Sequence, residues 1–317
     1  MTDIWYDCDT GYDDMITLVL LAHQPDVRLL GVSAVVGNTT LANTLRNTLR
    51  VVDAFRIQAP VHAGATKPLA AEPCTIEGLL GEDGLGARGT GLPATDRRPE
   101  PQHAVPALID CLRAHPGQVT IVATAPLTNI ALAVRTAPDI VPKIRELVFM
   151  GGGVGRGNHT AAAEFNAYAD PEAGQVLCDS GIPLRMFGLN LTNQTLIDAS
   201  FEDAMRAAGG PVAEALAHHT DFYLRIRDKD KNVPMPLHDP NTAVYLAHPE
   251  FYTFRPARLD FETTGRLTRG ETVCEFRVPR KAAPNAQIAI TADSAAVTSY
   301  WTNEITSALT ALRTAAA

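Results

Sequence analysis

Residues 28–36 read RLLGVSAVV. Past the arginine this is a nearly continuous apolar run, the pattern of a central parallel strand covered on both faces. Working outward from it, residues 4–7 read as a strand, 12–23 as a helix stopped before Pro25, 41–55 as a helix and 61–63 as a short strand. Further on, helices at 104–114, 127–136 and 171–180 alternate with strands at 119–123, 147–150 and 183–187. Strands alternating with amphipathic helices define an α/β fold. The last third changes character, with a helix at 212–225, another after Pro240, an antiparallel excursion over 259–276 and a final helix over 295–312. No repeat or linker divides the chain, so one domain is expected over residues 1–317, built on a mainly parallel central sheet with flanking helices. Residues 68–101, rich in Gly and Pro with weak periodicity, read as a long functional loop.

The totals exclude several classes. A hydrophobic fraction of 46% and a charged fraction of 20% in 317 residues fit a globular chain with a sizeable core. A formal charge of −8 and a pI of about 5.6 give a nucleic-acid polymer no electrostatic support. The longest apolar run, around 18–22, is far short of a membrane span, and the N-terminus MTDIWYDCDT has no signal core. Five cysteines without a CxxC pair argue against a disulfide framework or a structural zinc. A reduced, cytoplasmic setting is the expectation.

In open parallel sheets, ligands bind beyond the carboxyl ends of the strands. After the first expected strand the chain reads DCDTGYDD (7–14); the second leads into Gly37-Asn38, the fourth into Thr124, and the next into Met150 and a glycine-rich loop. Carboxylates, an amide, a hydroxyl and backbone carbonyls thus gather at one edge, a donor set for a hard cation and a polyol. Helix capping by Asp9 or Thr10, with Asp13 and Asp14 favoured near the positive end of the helix, accounts for part of the cluster. It does not account for Asp7 and Asp9 at the exit of a buried strand. HDPNTAV (238–244) offers a similar choice, since Asp239 before Pro240 is a good helix start. In AEFNAYADPEAG (163–174), Asp170-Pro171 reads as structural, while Glu164 and Asn166, two apart on an extended segment, point to one side. MGGGVGRGN (150–158) lacks dinucleotide spacing, and RIRDKDKN (225–232) reads as a solvated helix end or a loop near the site.

Six motifs then fall in one order: DCDTGYDD, VVGN (35–38), TAPLTNIA (124–131), VFMGGG (148–153), AEFN with DPEA (163–173), and HDP (238–240). Together they resemble the inosine-uridine preferring nucleoside hydrolases over nearly the whole chain. The resemblance implies a nucleoside hydrolase-like fold, a bound calcium ion (Ca2+), and hydrolysis of ribonucleosides to ribose and free nucleobase. By position, Asp9, Asp14, Asp239 and the main-chain carbonyl of Thr124 would hold calcium, and Asp9 would be the general base on a calcium-bound water. Asp13, Asn38, Met150, Asn158, Glu164, Asn166 and Asp239 would hold the ribose, and His238 would lie near the leaving nucleobase, where its ordinary pKa suits proton delivery. The alternative is that it packs against Asp239 and orients it. Asp7 would support the cluster from behind. A homo-oligomer, dimer or tetramer, is also implied. The chain departs from the pattern at Thr10, where many members carry proline, and at Leu80, where many place histidine; aromatic and arginine positions that meet the nucleobase are not clear in FYLRIRDKDKN. The alternatives are a haloacid-dehalogenase-like phosphatase, whose motif would need threonine where Gly11 stands, and a non-catalytic riboside-binding protein.

Overall fold

Trp5 and its neighbours show how alternation along one strand builds two cores. Ile4 and Tyr6 are buried on one face of the sheet and Trp5 on the other, as the two-residue period of a strand dictates. The structure, a computed structural model, describes residues 1–277 and 282–315. Its strands are β1 (Thr2–Cys8), β2 (Val27–Ala34), β3 (Val61–Ala63), β4 (Val119–Ala123), β5 (Ile144–Met150), β6 (Leu184–Phe187), β7 (Leu196–Ile197), β8 (Met235–Pro236), β9 (Tyr252–Phe261), β10 (Thr272–Glu275) and β11 (Ala286–Ala292). The longer helices are α1 (Tyr12–His23), α2 (Leu41–Ala54), and, past the short α3 (Glu77–Leu80), α4 (Ala104–Ala114) and α5 (Thr128–Thr136). Then follow α6 (Phe165–Ala169), α7 (Pro171–Cys178), α8 (Leu189–Thr192), α9 (Ala199–Ala208), α10 (Pro211–Leu224), α11 (Pro240–Ala247) and α12 (Ser294–Thr314).

Among the described residues, nine strands form one sheet in the order β10-β9-β11-β6-β5-β4-β1-β2-β3. From β3 to β11 every neighbour pair is parallel. β9 then runs antiparallel to β11, and β10 antiparallel to β9, which is the excursion expected near 259–276. β7 and β8 pair separately. Helices α1, α2, α11 and α12 pack on the face that holds Ile4 and Tyr6; α4, α5 and α7 cover the face that holds Trp5.

The strand order reverses at β1. The chain proceeds from β1 to β2 and β3 on one side, then returns to add β4, β5 and β6 on the other. A crevice opens at such a switch point, beyond the carboxyl ends of β1 and β4. In register there, Asp7 lies opposite both Ser33 and Ala123.

Three expectations are revised. The opening half of β2 is only partly covered, and Arg28 emerges to pair with Asp3 at 2.6 Å; full burial begins at Gly31. Glu164 and Asn166 are not on an extended segment: Glu164 caps α6 and Asn166 lies in its first turn. Helix α9 and strand β11 had no counterpart in the periodicity reading. β11 mixes polar and apolar residues, and its pairing with both β6 and β9 supplies the backbone partners that place it in the sheet.

Candidate active site

β1 ends at Cys8 and the chain enters α1 through Asp9, Thr10 and Gly11. The residue at the helix start is Gly11, and its N–H is held by Asp14 Oδ2 at 3.0 Å. Neither Asp9 nor Thr10 is the helix cap; Asp14, three residues in, supplies that bond. Asp14 Oδ1 accepts from Thr124 Oγ1 at 2.6 Å, and Thr124 Oγ1 in turn accepts from the Tyr6 hydroxyl at 2.8 Å. The three groups come from α1, from the end of β4 and from inside β1, so the switch point itself assembles them.

Asp9 is buried, and its Oδ2 accepts from the Asn38 backbone N–H at 2.6 Å. Its Oδ1 has no hydrogen-bond partner. Gly37 permits this arrangement, because a Cβ there would come within 2.0 Å of Asp9 Oδ2. A buried carboxylate oxygen left unpaired is costly and calls for a proton donor or a cation.

The remaining expected residues converge on the same place. Asn166 Nδ2 donates to the Thr124 carbonyl at 2.9 Å and to the Met150 carbonyl at 3.2 Å. Glu164 Oε2 accepts from the Gly152 N–H at 2.8 Å, and Asn158 Oδ1 from the Phe165 N–H at 3.0 Å. Asp239 stands at the start of α11, yet its side chain bonds no helix amide, so the carboxylate is free for the site. His238 Nδ1 lies 2.7 Å from Thr192 Oγ1. Asp7 sits behind, holding Ser33 Oγ and, at 2.8 Å, Asn129 Nδ2.

A cavity of about 380 Å³ opens over these groups. One half is lined by Asp13, Asn38, Thr124, Met150, Asn158, Glu164, Asn166 and Asp239, all anticipated from the sequence. Asp9 and Asp14 lie buried beneath it. The other half is largely apolar, with Leu79, Leu80, Phe165, Ile226 and Met235, and it carries Arg227 and His238. Sequence reasoning missed Tyr6 and most of this apolar wall, and it named Gly37 without its close approach to Asp9. A hydroxyl at an inward strand position was the one available hint of Tyr6.

Carboxylate oxygens of Asp13, Asp14 and Asp239 come within 4.8 Å of one another, a spacing that suits a metal ion. Asp9 stands beside this trio and is not part of it. The crowding shows in the protonation equilibria. Burial raises Asp9 well above the usual carboxylate range, with Asp14 adding to it; burial does the same for Asp239, with Asp13 adding. Asp13 is pushed up to about 7 by burial and by Asp14, and burial raises Asp14 and Glu164 as well. Burial pushes Asp7 up to about 7. Four mutually repelling carboxylates around one point either hold protons or hold a cation. His238 moves the other way: burial and the nearby Arg227 guanidinium lower it to about 4.

An open α/β sheet carries an oxygen-rich nest and an amide-lined cavity at its switch point, a site with room for a small polar substrate and donors that could hold a metal ion. Residues 4–299 match the family model described as inosine-uridine preferring nucleoside hydrolase. The chain is 40% identical over 290 residues to the pyrimidine-specific ribonucleoside hydrolase RihB of Escherichia coli (strain SE11), covering 91% of this chain and 92% of that one. Among solved structures it resembles the purine-preferring ribonucleoside hydrolase from Gardnerella vaginalis, with a TM-score of 0.91, 27% identity, and 98% and 99% of the two chains covered. An inosine-guanosine nucleoside hydrolase gives a TM-score of 0.85 at 25% identity, covering 96% and 99%. The chain therefore belongs to the inosine-uridine preferring nucleoside hydrolase family and is an enzyme of that class. The phosphatase and non-catalytic alternatives fall away. No helix among the described residues is long and apolar enough to cross a membrane.

Proposed function

We propose that this enzyme hydrolyses the N-glycosidic bond of ribonucleosides, with calcium held by Asp14, Asp239, the Thr124 carbonyl and the adjoining carboxylates Asp9 and Asp13. The observation that carries the reading is the unpaired Asp9 Oδ1 beside the Asp13, Asp14 and Asp239 trio. The donors are hard oxygens, with no histidine or cysteine in the trio, which favours calcium over zinc. When bound, a divalent cation supplies positive charge that returns these carboxylates to their ionised form and acidifies nearby water.

Water adds to the anomeric carbon as the bond to the nucleobase nitrogen breaks. Asp9 takes the water's proton, and the bonding pair leaves with the nucleobase. The sugar becomes cationic on the way, and the buried carboxylates beneath the cavity stabilise that charge where no solvent screens it. Asp13, Asn38, Met150, Asn158, Glu164, Asn166 and Asp239 hold the ribose hydroxyls. With Thr192 donating to Nδ1, a neutral His238 presents Nε2–H to the departing nucleobase as a hydrogen-bond donor. The preferred nucleobase is a pyrimidine, a preference supported by the 40% identical relative. A reduced, cytoplasmic setting is supported by the five free cysteines.

Reducing-sugar release from uridine, cytidine, inosine and adenosine, before and after chelation, tests the whole reading. Release from uridine and cytidine that chelation abolishes and calcium restores is expected. Release unchanged by chelation would remove the metal; release from purines alone would overturn the pyrimidine preference.

A further inference from the structure

Beside Phe165 and Met235, the apolar half of the cavity is lined by two stretches that are far apart in sequence. Leu79 and Leu80 come from the 68–101 stretch, and Ile226 and Arg227 from the turn that follows α10. Neither stretch belongs to the sheet, so something else must hold them in register.

Helix α10 seats the first. His219 is buried; its Nδ1 bonds the Gly86 carbonyl at 2.9 Å and its Nε2 accepts from the Leu92 N–H at 3.0 Å. Two residues on, Asp221 reaches both stretches. Arg88 Nε of the first lies 3.3 Å from its Oδ2. From the second, Arg225 Nε bonds Asp221 Oδ1 at 3.0 Å, and Lys231 Nζ lies 2.8 Å from the same oxygen. Lys231 also reaches Glu202 Oε2 on α9, at 2.5 Å. Its backbone is held at φ 58°, a left-handed conformation that a lysine adopts only when its surroundings enforce it. Asp221 and Glu202 are buried, which limits the screening of their pairs with Lys231. The Arg88 side chain is exposed, so its pair with Asp221 is more open to solvent.

We propose that Asp221 is a positioning residue: by gripping Arg88, Arg225 and Lys231 together it sets the spacing of the two walls that enclose the leaving nucleobase. The inference rests on the nucleoside reading of the cavity. Among the described residues no hydrogen bond or ion pair joins Arg88, Asp221, Arg225 or Lys231 to the carboxylates and amides of the other half. The first stretch meets that half at the Ile76 N–H, which donates to the Asn38 carbonyl at 3.0 Å, so ribose binding should change less than nucleobase binding.

The test compares Asp221→Asn, Lys231→Met and Lys231→Arg in the full chain, with KM and kcat on uridine and inhibition by free ribose as separate readouts. Asp221→Asn is expected to raise KM about tenfold or more with kcat within about threefold, the signature of lost substrate positioning in binding. Its ribose inhibition constant should stay within about twofold of wild type, since uniform binding is lost only where contacts are lost. Lys231→Met should shift KM the same way, and Lys231→Arg should restore it. A folded Asp221→Asn with unchanged KM overturns the clamp, as does an equal weakening of ribose and uridine. If Asp221→Asn does not fold by circular dichroism, Lys231→Met decides by the same two outcomes. A wild-type enzyme inert on every nucleoside overturns the nucleoside reading, and is distinguished from clamp failure by the wild-type rate alone.

Discussion

In the proposed reaction Asp9 is the residue on which the chemistry turns, and its two oxygens would have different work. Oδ2 is tied to the Asn38 N–H, which fixes the carboxylate's orientation, while the unpartnered Oδ1 is the oxygen that would meet the reacting water. Asp9→Asn keeps the shape and removes the proton acceptor. It is expected to lower kcat by about 10²-fold or more, the scale of general base catalysis, without unfolding the chain. A rate within about threefold of wild type, in a folded variant, would place the base elsewhere. His238 poses a sharper question, because burial and Arg227 hold it near 4. An enzyme needing a charged imidazole of ordinary pKa would lose activity as pH rises through about 6.5. A neutral donor predicts no such fall, so kcat/KM on uridine should be flat from about pH 6.5 to 8. His238→Ala should slow uridine much more than p-nitrophenyl riboside, whose leaving group needs no help. A steep decline above pH 6.5, or equal losses on both substrates, would contradict that role.

At the scale of an element, the turn after β2 matters as much as the aspartates it serves. Gly37 and Asn38 must pass so close to Asp9 that the turn has no room for a side chain. Gly37→Ala would put its methyl within 2.0 Å of Asp9 Oδ2, a clash that only a carboxylate or backbone shift relieves. Overpacking of this kind costs about 1–3 kcal/mol, and a displaced catalytic group costs roughly 10²-fold in rate. The expected result is a folded protein with a lower thermal midpoint and little turnover. Full activity in Gly37→Ala would mean that the Asn38–Asp9 bond is dispensable. The start of α1 carries the same lesson. Asp14 spends one oxygen on the Gly11 N–H and the other on Thr124, so the helix start and the cation nest are one structure.

For the whole molecule, the carboxylate nest is expected to make stability depend on pH and, with the proposed cation, on metal as well. Asp9, Asp13, Asp14 and Asp239 all have folded-state pKa values raised above those of exposed carboxylates, chiefly by burial. A raised pKa means that the folded state binds more protons than the unfolded chain in the window between the two values. That contribution is present at low pH and is lost as pH rises through the folded value, which for Asp13 is about 7. Chelated protein should therefore melt at a lower temperature at about pH 8 than at about pH 5.5. Calcium should reverse the trend, stabilising the enzyme most at the higher pH, where the ligands are ionised. Differential scanning fluorimetry across that range, with and without calcium, reads this directly. A chelated midpoint that rises with pH, unchanged by calcium, would sink the cation site.

The amino-acid sequence alone determined the architecture and most of the site. The apolar run in RLLGVSAVV marks a central strand, fully covered from Gly31 onward, and alternation of such runs with helices leads to a parallel sheet whose strand ends collect DCDTGYDD, Asn38, Thr124 and Met150. These features are local, written in hydrophobic period and in the order of motifs along the chain. What lay beyond reach was set by contacts between distant segments. The lowered pKa of His238 comes from burial and from Arg227. The helical setting of Glu164 and Asn166 comes from the Gly152 and Ala167 amides that the Glu164 carboxylate holds. Tyr6 became part of the site because parallel pairing of β1 with β4 set its hydroxyl beside Thr124. The spacing of the apolar walls depends on Asp221 meeting Arg88 across 133 residues of chain, a pairing that no local pattern encodes. Burial and long-range charge act through space, and only the folded chain defines that space.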